Sequence, residues 1–198
     1  MEYQFAYRNH AQALYEALQV DAFYTTLEKS MPNGSAREAM LRYLDYSIRE
    51  GEQYGAVVVP ADHEYGISVW SKPLAADAEA RKHQQKQQFL QTYMERAGLD
   101  TYNAIVEYMS AASGKVVNGD FWYLSIVGII PEQQGKGLGA ELLERVLSET
   151  DRLQAPTYLE TFTPRNVAFY NRFGYRSVAA VDEPTTGAAY QVLVRDYA

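Results

Sequence analysis

The sequence predicts a mixed α/β fold, and three observations carry that expectation. Apolar residues recur at helical spacing in some segments and as short β-branched or aromatic runs in others. One apolar strand passes through a Pro-led turn and three alternating glycines into a strongly amphipathic helix. A long polar-faced helical stretch separates two groups of strands. With 198 residues, no repeats and no linker-like segment, residues 1–198 are expected to form one domain.

Ala36, Ala39, Met40, Tyr43, Leu44, Ser47 and Ile48 recur at helical spacing, and Asn33-Gly34-Ser35 supplies a start. Ala56–Val59 and Gly66–Trp70 predict two antiparallel strands joined through Pro60-Ala61-Asp62. A helix is expected from Asp77 to Ala97, stopped at Gly98, with its Lys82–Gln88 stretch solvated. A second helix carries Tyr102, Ile105, Val106 and Met109 on one side, and Lys115–Asp120 predicts a loop. There follow a strand (Trp122–Ile130), a helix (Gly135–Arg152), a strand (Thr157–Phe162) and a short helix (Arg165–Phe173). Tyr175–Val181 and Ala189–Arg195 predict the last two strands. Leu138, Leu142, Leu143, Val146 and Leu147 form the buried stripe of the Gly135 helix.

Composition narrows the function. Apolar residues make up 47% and charged residues 22%, the balance of a soluble globular protein. A net charge of −7 argues against a broad grip on nucleic acid, which needs a basic face, and leaves room for a cationic substrate. The absence of cysteine excludes disulfides, thiolate metal sites and a Cys nucleophile. MEYQFAYRNH is polar where a secretory signal would be apolar, and no apolar run is long enough to span a membrane, so a cytoplasmic protein is expected. His10, His63 and His83 are expected at the surface, and no metal-ligand constellation is visible.

The chemistry concentrates in Leu124-Ser-Ile-Val-Gly-Ile-Ile-Pro-Glu-Gln-Gln-Gly-Lys-Gly-Leu-Gly139. Gly135, Gly137 and Gly139 let backbone approach a bulky ligand, and the free N–H groups of a helix's first turn attract phosphate. Lys136 adds a positive charge at the same mouth. Gly135-Lys-Gly-Leu-Gly-Ala140 also spells the dinucleotide fingerprint G-x-G-x-x-G/A, with Glu160 near the ribose-binding acidic position. The intervening Pro131-Glu-Gln-Gln and the lack of further βαβ units argue against that reading.

Gln134-Gly-Lys-Gly-Leu-Gly139 resembles the Q/R-x-x-G-x-G/A coenzyme A signature of GNAT acetyltransferases, and Asn166-Val-Ala-Phe-Tyr-Asn-Arg-Phe-Gly-Tyr175 resembles that family's second landmark. Trp122-Tyr-Leu, Leu159-Glu-Thr and Pro164-Arg-Asn166 look most like the puromycin N-acetyltransferase branch. The resemblance implies a central, mostly antiparallel sheet with a splayed parallel strand pair flanked by helices. It also implies a helical insertion, here about 74–114, between strands 3 and 4. The acetyl-coenzyme A site it implies comprises Val127, Gly128, Ile129, Gln134, Gly135, Lys136, Gly137, Leu138, Gly139, Ala140 and Asn166. Asn166 precedes Tyr170 by four residues, so contact with the coenzyme and capping of the short helix both stay open.

By the same resemblance, a neutral primary amine, of a small molecule, attacks the thioester directly, with no covalent enzyme intermediate and no metal. Tyr170 is the candidate acid at the leaving sulfur, through either a strong hydrogen bond to the thiolate or a modest pKa drop at the helix N-terminus. Glu160 is the candidate base, its alternative being a surface carboxylate on an alternating strand. A non-catalytic acyl-coenzyme A sensor and a protein N-acetyltransferase are the other readings. The insertion's Tyr93, Tyr102 and Tyr108 would wall the acceptor cleft, pack in the core or meet a second copy, leaving a monomer or a homodimer.

Overall fold

A computed structural model describes residues 3–32, 34–60 and 63–198. Three helices open the chain: α1 (Arg8–Leu18), α2 (Ala22–Lys29) and α3 (Ala36–Tyr54). Strands β1 (Gly55–Val58) and β2 (Gly66–Ser71) follow, then α4 (Ala76–Tyr93) and α5 (Glu95–Ser113). The rest comprises β3 (Trp122–Ile129), α6 (Gly139–Arg152), β4 (Thr157–Thr161), α7 (Pro164–Asn171), β5 (Arg176–Glu183) and β6 (Ala188–Arg195). The six strands form one sheet in the order β1-β2-β3-β4-β6-β5, in which only β3 and β4 are parallel.

Helices cover the sheet on both faces. On one, Leu14, Leu44, Ile48, Leu90 and Met94 pack with Ile67, Val69 and Ile126 of the sheet. On the other, Leu142, Leu143 and Val146 of α6 meet Trp70, Trp122 and Leu159. Apolar burial of this kind, worth roughly 25 cal/mol per Å², is the main force holding the layers together.

The structure corrects several boundaries. α1 and α2 are additional to the expected elements. The helix expected over Asp77–Ala97 stops at Tyr93, and the break falls at Met94 and at Glu95, whose φ is 42°. Gly98 is not a stop but a buried residue of α5, where a Cβ would meet Met31 Cγ at 2.9 Å. Its small size is a packing requirement. Lys82 and Lys86 of the supposedly solvated stretch are largely buried and ion-paired. The helix expected from Gly135 begins at Gly139, because Gly135 and Gly137 adopt φ of 76° and 82°, outside helical geometry. α4 and α5 lie between the second and third described strands, one earlier than expected. The expected start at Asn33 and the connection at Ala61-Asp62 lie outside the described residues.

A charged clamp fixes α6 and the end of α7 to the sheet. Arg195 of β6 donates through Nη1 and Nη2 to the Asp151 carboxylate at 2.7 and 2.8 Å, and through Nε to Phe173 O at 2.8 Å. Its hydrogen bonds hold the Asp151 carboxyl below the usual carboxylate range. A depressed carboxyl stabilises the fold above its unfolded pKa, and that contribution disappears as pH falls through the folded value. Asp151→Asn is therefore expected to cost about 2 kcal/mol at pH 7. Thermal unfolding should show Tm lowered by roughly 4–8 °C at pH 7, with the gap closing as pH drops below about 4.

Candidate active site

The site begins where two strands part. β3 and β4 pair only at Trp122–Thr157, Tyr123–Tyr158 and Leu124–Leu159, whereas β2 follows β3 to Ile129. Beyond Leu124 the β4-facing edge of β3 has no strand beside it. Ile130 N–H donates to Tyr65 O at 2.8 Å on the β2 side. Antiparallel alternation then turns the backbone groups of Gly128 to β2 and those of Val127 and Ile129 into the gap. Gly128 is thereby removed from the expected coenzyme contacts. Its missing Cβ admits α1, which a side chain would meet at Leu14 Cδ2, 2.8 Å, and Ala17 Cβ, 3.0 Å.

A bulge aims the other side of the gap. Val69 faces Ile126 and Trp70 faces Leu124, which leaves Ser125 as an extra residue whose hydroxyl donates to Val69 O at 2.9 Å. The reset alternation sends Tyr123, Ser125 and Ile126 into one cavity of about 410 Å³. α2, α3, α4 and α5 supply its other walls, with Asp21, Tyr24, Tyr43, Glu50, Lys86 and Tyr102 among the lining side chains.

Glu160 of β4 faces the same cavity, together with Tyr158 and Phe162. Tyr123 Oη donates to its Oε2 at 3.1 Å, while Oε1 is buried without a hydrogen-bond partner among the described residues. Burial pushes this carboxyl up to about 7, against the opposing pull of the Tyr123 hydrogen bond. The surface-carboxylate alternative therefore fails. Near neutral pH such a group accepts and releases a proton readily.

At the other end of β3, Pro131–Gln133 form a 3₁₀ turn and Gln134 is extended. Gln134 Nε2 donates to Ile129 O at 2.9 Å, which ties the loop to the strand end and leaves the Ile129 N–H for a ligand. The N–H groups of Gly135, Lys136, Gly137, Leu138 and Gly139 have no hydrogen-bond acceptor among the described residues. Ala140 N–H is engaged by Gly137 O at 3.4 Å. Nothing lies within 4 Å of a Cβ built at Gly135 or Gly137, so their role is conformational. At Gly139 a Cβ would meet Phe169 at 2.8 Å, so its role is packing of α6 on α7. Lys136 is exposed and donates to Gln133 Oε1 at 2.9 Å. Five free amides at a helix entrance fit the pyrophosphate of a coenzyme A-like molecule.

The match to known proteins now has a physical setting. The acetyltransferase (GNAT) family model matches residues 57–175. This chain belongs to the GNAT family. Its fold is similar to the crystal structure of histone acetyltransferase HPA2 and related acetyltransferase from Corynebacterium glutamicum, with TM-score 0.63 and 18% identity, covering 97% of this chain and 91% of that one. Arylalkylamine N-acetyltransferase 2 from Aedes aegypti gives TM-score 0.66 at 11% identity, covering 97% and 94%. An uncharacterised N-acetyltransferase of Schizosaccharomyces pombe is 37% identical over 54 residues, 27% of this chain and 22% of that protein's length. GNAT acetyltransferases use acetyl-coenzyme A.

The remaining expected residues of this GNAT chain divide. Tyr170 lies in the last turn of α7, not at a helix N-terminus, and packs against Phe169 and Tyr175 at 5.2 and 6.0 Å between ring centres. Burial raises its pKa, with further contributions from Tyr175 and Asp21, so the expected lowering is reversed. Asn166 sits inside the first turn of α7, and Thr163 holds the cap position, so capping by Asn166 is excluded. His63 and His83 are exposed as expected, but His10 is half-buried with Nε2 unpartnered among the described residues. Of the insertion's tyrosines, Tyr102 lines the cavity, Tyr93 packs on Phe89 and Tyr3, and Tyr108 is exposed. Sequence reasoning missed Tyr123 and Asp21. Tyr123 was legible only once pairing with Tyr158 placed it beside Glu160; the signal for Asp21 was its N-cap position ahead of Ala22-Phe-Tyr-Thr.

Acetyl-coenzyme A is expected to raise Tm, and the rise should continue with the logarithm of its concentration above Kd. In Gly137→Val the φ of 82° is strained for a β-branched residue, while open space around the Cβ leaves the core untouched. That variant should unfold cooperatively yet show no acetyl-coenzyme A shift in a thermal melt. A shift produced by nicotinamide dinucleotides instead would restore the dinucleotide reading.

Proposed function

We propose that this protein transfers the acetyl group of acetyl-coenzyme A to a primary amine of a small molecule, and that residues 1–198 act as one GNAT domain with α4 and α5 inserted to wall the acceptor cavity. The observation that carries the reading is Glu160, a buried carboxyl raised to about 7 with one free oxygen on a cavity at the strand splay. Similarity of Trp122-Tyr-Leu, Leu159-Glu-Thr and Pro164-Arg-Asn166 to the puromycin N-acetyltransferase branch supports a small-molecule acceptor.

The cosubstrate supplies an activated thioester acetyl group. The amides of Gly135 to Gly139 would hold its phosphates, and the gap-facing groups of Val127 and Ile129 would bind the pantetheine arm as an added strand. Ile129 N–H would steady the charge developing on the carbonyl oxygen. Glu160 would take a proton from the acceptor ammonium, directly or through water, so that the neutral nitrogen bonds to the acetyl carbon as the carbon–sulfur bond breaks. The second proton that nitrogen then sheds passes through water to the departing thiolate, giving the amide and the free thiol of coenzyme A. Tyr170, kept protonated by its raised pKa, would donate a hydrogen bond to the departing sulfur. Full proton transfer from it is uphill, since even an ordinary phenol lies about 1.5 pKa units above a thiol.

Two variants test these roles once thiol release has identified an acceptor from an amine panel. A base must be ionised, so wild-type kcat/KM should rise with pH through about 7. Glu160→Gln should lose that limb and fall in turnover by about a hundredfold or more. Unchanged turnover would exclude Glu160 as base. For Tyr170→Phe, kcat should fall about a hundredfold while acetyl-coenzyme A affinity stays within about twofold, the pattern of an interaction made in the transition state. Near-normal kcat would reduce Tyr170 to a packing residue. A protein that binds acetyl-coenzyme A and acetylates nothing on the panel would point to a sensor.

A further inference from the structure

The ionisable side chains around the 410 Å³ cavity do not balance. Of its four carboxylates, two have cationic partners: Glu79 meets Lys82 at 3.7 Å, and Glu50 Oε2 meets Lys86 at 3.1 Å. Lys86 is further occupied by the rings of Tyr43 and Tyr46, 5.2 and 4.8 Å from its Nζ. Asp21 and Glu160 form no ion pair among the described residues. Glu160 Oε1 is buried and unpartnered among the described residues, and the Asp21 carboxylate accepts the Phe23 N–H, at 3.0 Å, as the cap of α2. The lysines on the cavity wall are thus committed elsewhere, and among the described residues neither Asp21 nor Glu160 has a cationic side chain within 4.0 Å, His83 on the same wall included. Burying such groups is costly unless a partner arrives. Phe23, Tyr24, Tyr123, Tyr158 and Phe162 lie on the same wall, and aromatic faces attract cations rather than anions.

We propose that the acceptor carries two amino groups: one is brought to Glu160 for acetylation, and the other is held as an ammonium by Asp21. The acceptor is a diamine in this assignment, and Asp21 is the residue that selects it over a monoamine. The identity of the first amine rests on the transferase reading of the same site, whereas the second contact concerns binding alone.

The test titrates 1,4-diaminobutane and butylamine calorimetrically into protein saturated with coenzyme A, and measures thiol release from acetyl-coenzyme A with each. The diamine is expected to bind and react at least about tenfold better, the gain of one well-placed charge contact. Asp21→Asn and Asp21→Ser both retain a good N-cap, so α2 should stay folded, which an unchanged acetyl-coenzyme A melting shift would verify. In both variants the diamine preference should collapse toward one. Equal affinity of wild type for the two amines, or a preference that survives in the variants, would overturn the proposal. Selective diamine binding without thiol release would uphold the Asp21 contact and reject the transferase reading; equal acetylation of both amines would do the reverse.

Discussion

Two parallel strands joined by three rungs leave the rest of their facing edges to be satisfied by something other than each other. Backbone N–H and C=O groups are obligatory hydrogen-bonding groups, and an unmade bond in a buried setting costs about 1–3 kcal/mol. The divergence of β3 from β4 after Leu124 therefore creates both the opening and the demand for a ligand that behaves like a strand. Every other feature of the site is hung on that divergence. The extra Ser125 resets the alternation so that Tyr123, Ser125 and Ile126 all face the cavity. The missing Cβ of Gly128 lets α1 press on the outer part of β3, and the Ser68 hydroxyl, donating to Leu142 O at 2.6 Å, seats α6 on β2.

Glu160 shows what such a site costs the fold. Its carboxyl is raised in the folded chain, so the native state favours its proton, and stability falls as pH climbs from the unfolded value of about 4.3 toward 7. The single hydrogen bond from Tyr123 offsets only part of that burial. Retaining a destabilised carboxylate at the splay is the arrangement expected where proton acceptance matters more than stability. The clamp between Arg195 and Asp151 works in the opposite sense, stabilising the fold at neutral pH while it anchors α6 and the turn after α7.

The insertion changes what the cavity can recognise. α4 and α5 supply part of the wall that shields Glu160, and a carboxylate left in water keeps an ordinary pKa. With them, Glu50 and Glu79 receive lysine partners, and Asp21 and Glu160 are the cavity's described carboxyls left without one. Neither Lys82 nor Lys86 announced this in the sequence, because a polar helix segment has the same composition whether it faces water or a lined cavity.

Local chemistry was legible wherever it depended on neighbours in the chain. The β3 strand, the amphipathic stripe of α6 and the glycine-rich entrance to it follow from residue types at short spacing, and so does membership of the GNAT family, whereas Glu160 became a candidate only through the family resemblance. The first turn of α6 was misplaced because glycine is as compatible with positive φ as with a helix, and only the assembled loop selects between them. Gly98 failed as a stop for a related reason: its value lies in the space taken by Met31, a residue 67 positions away. The partnership of Tyr123 with Glu160, the burial that raises the carboxyl, and the lack of an ion pair to Asp21 among the described residues arise from the packing of elements far apart in sequence. Residue type and periodicity determine what each segment can do, but desolvation and charge balance belong to the enclosed space, and only the packing of the sheet against its helices creates that space.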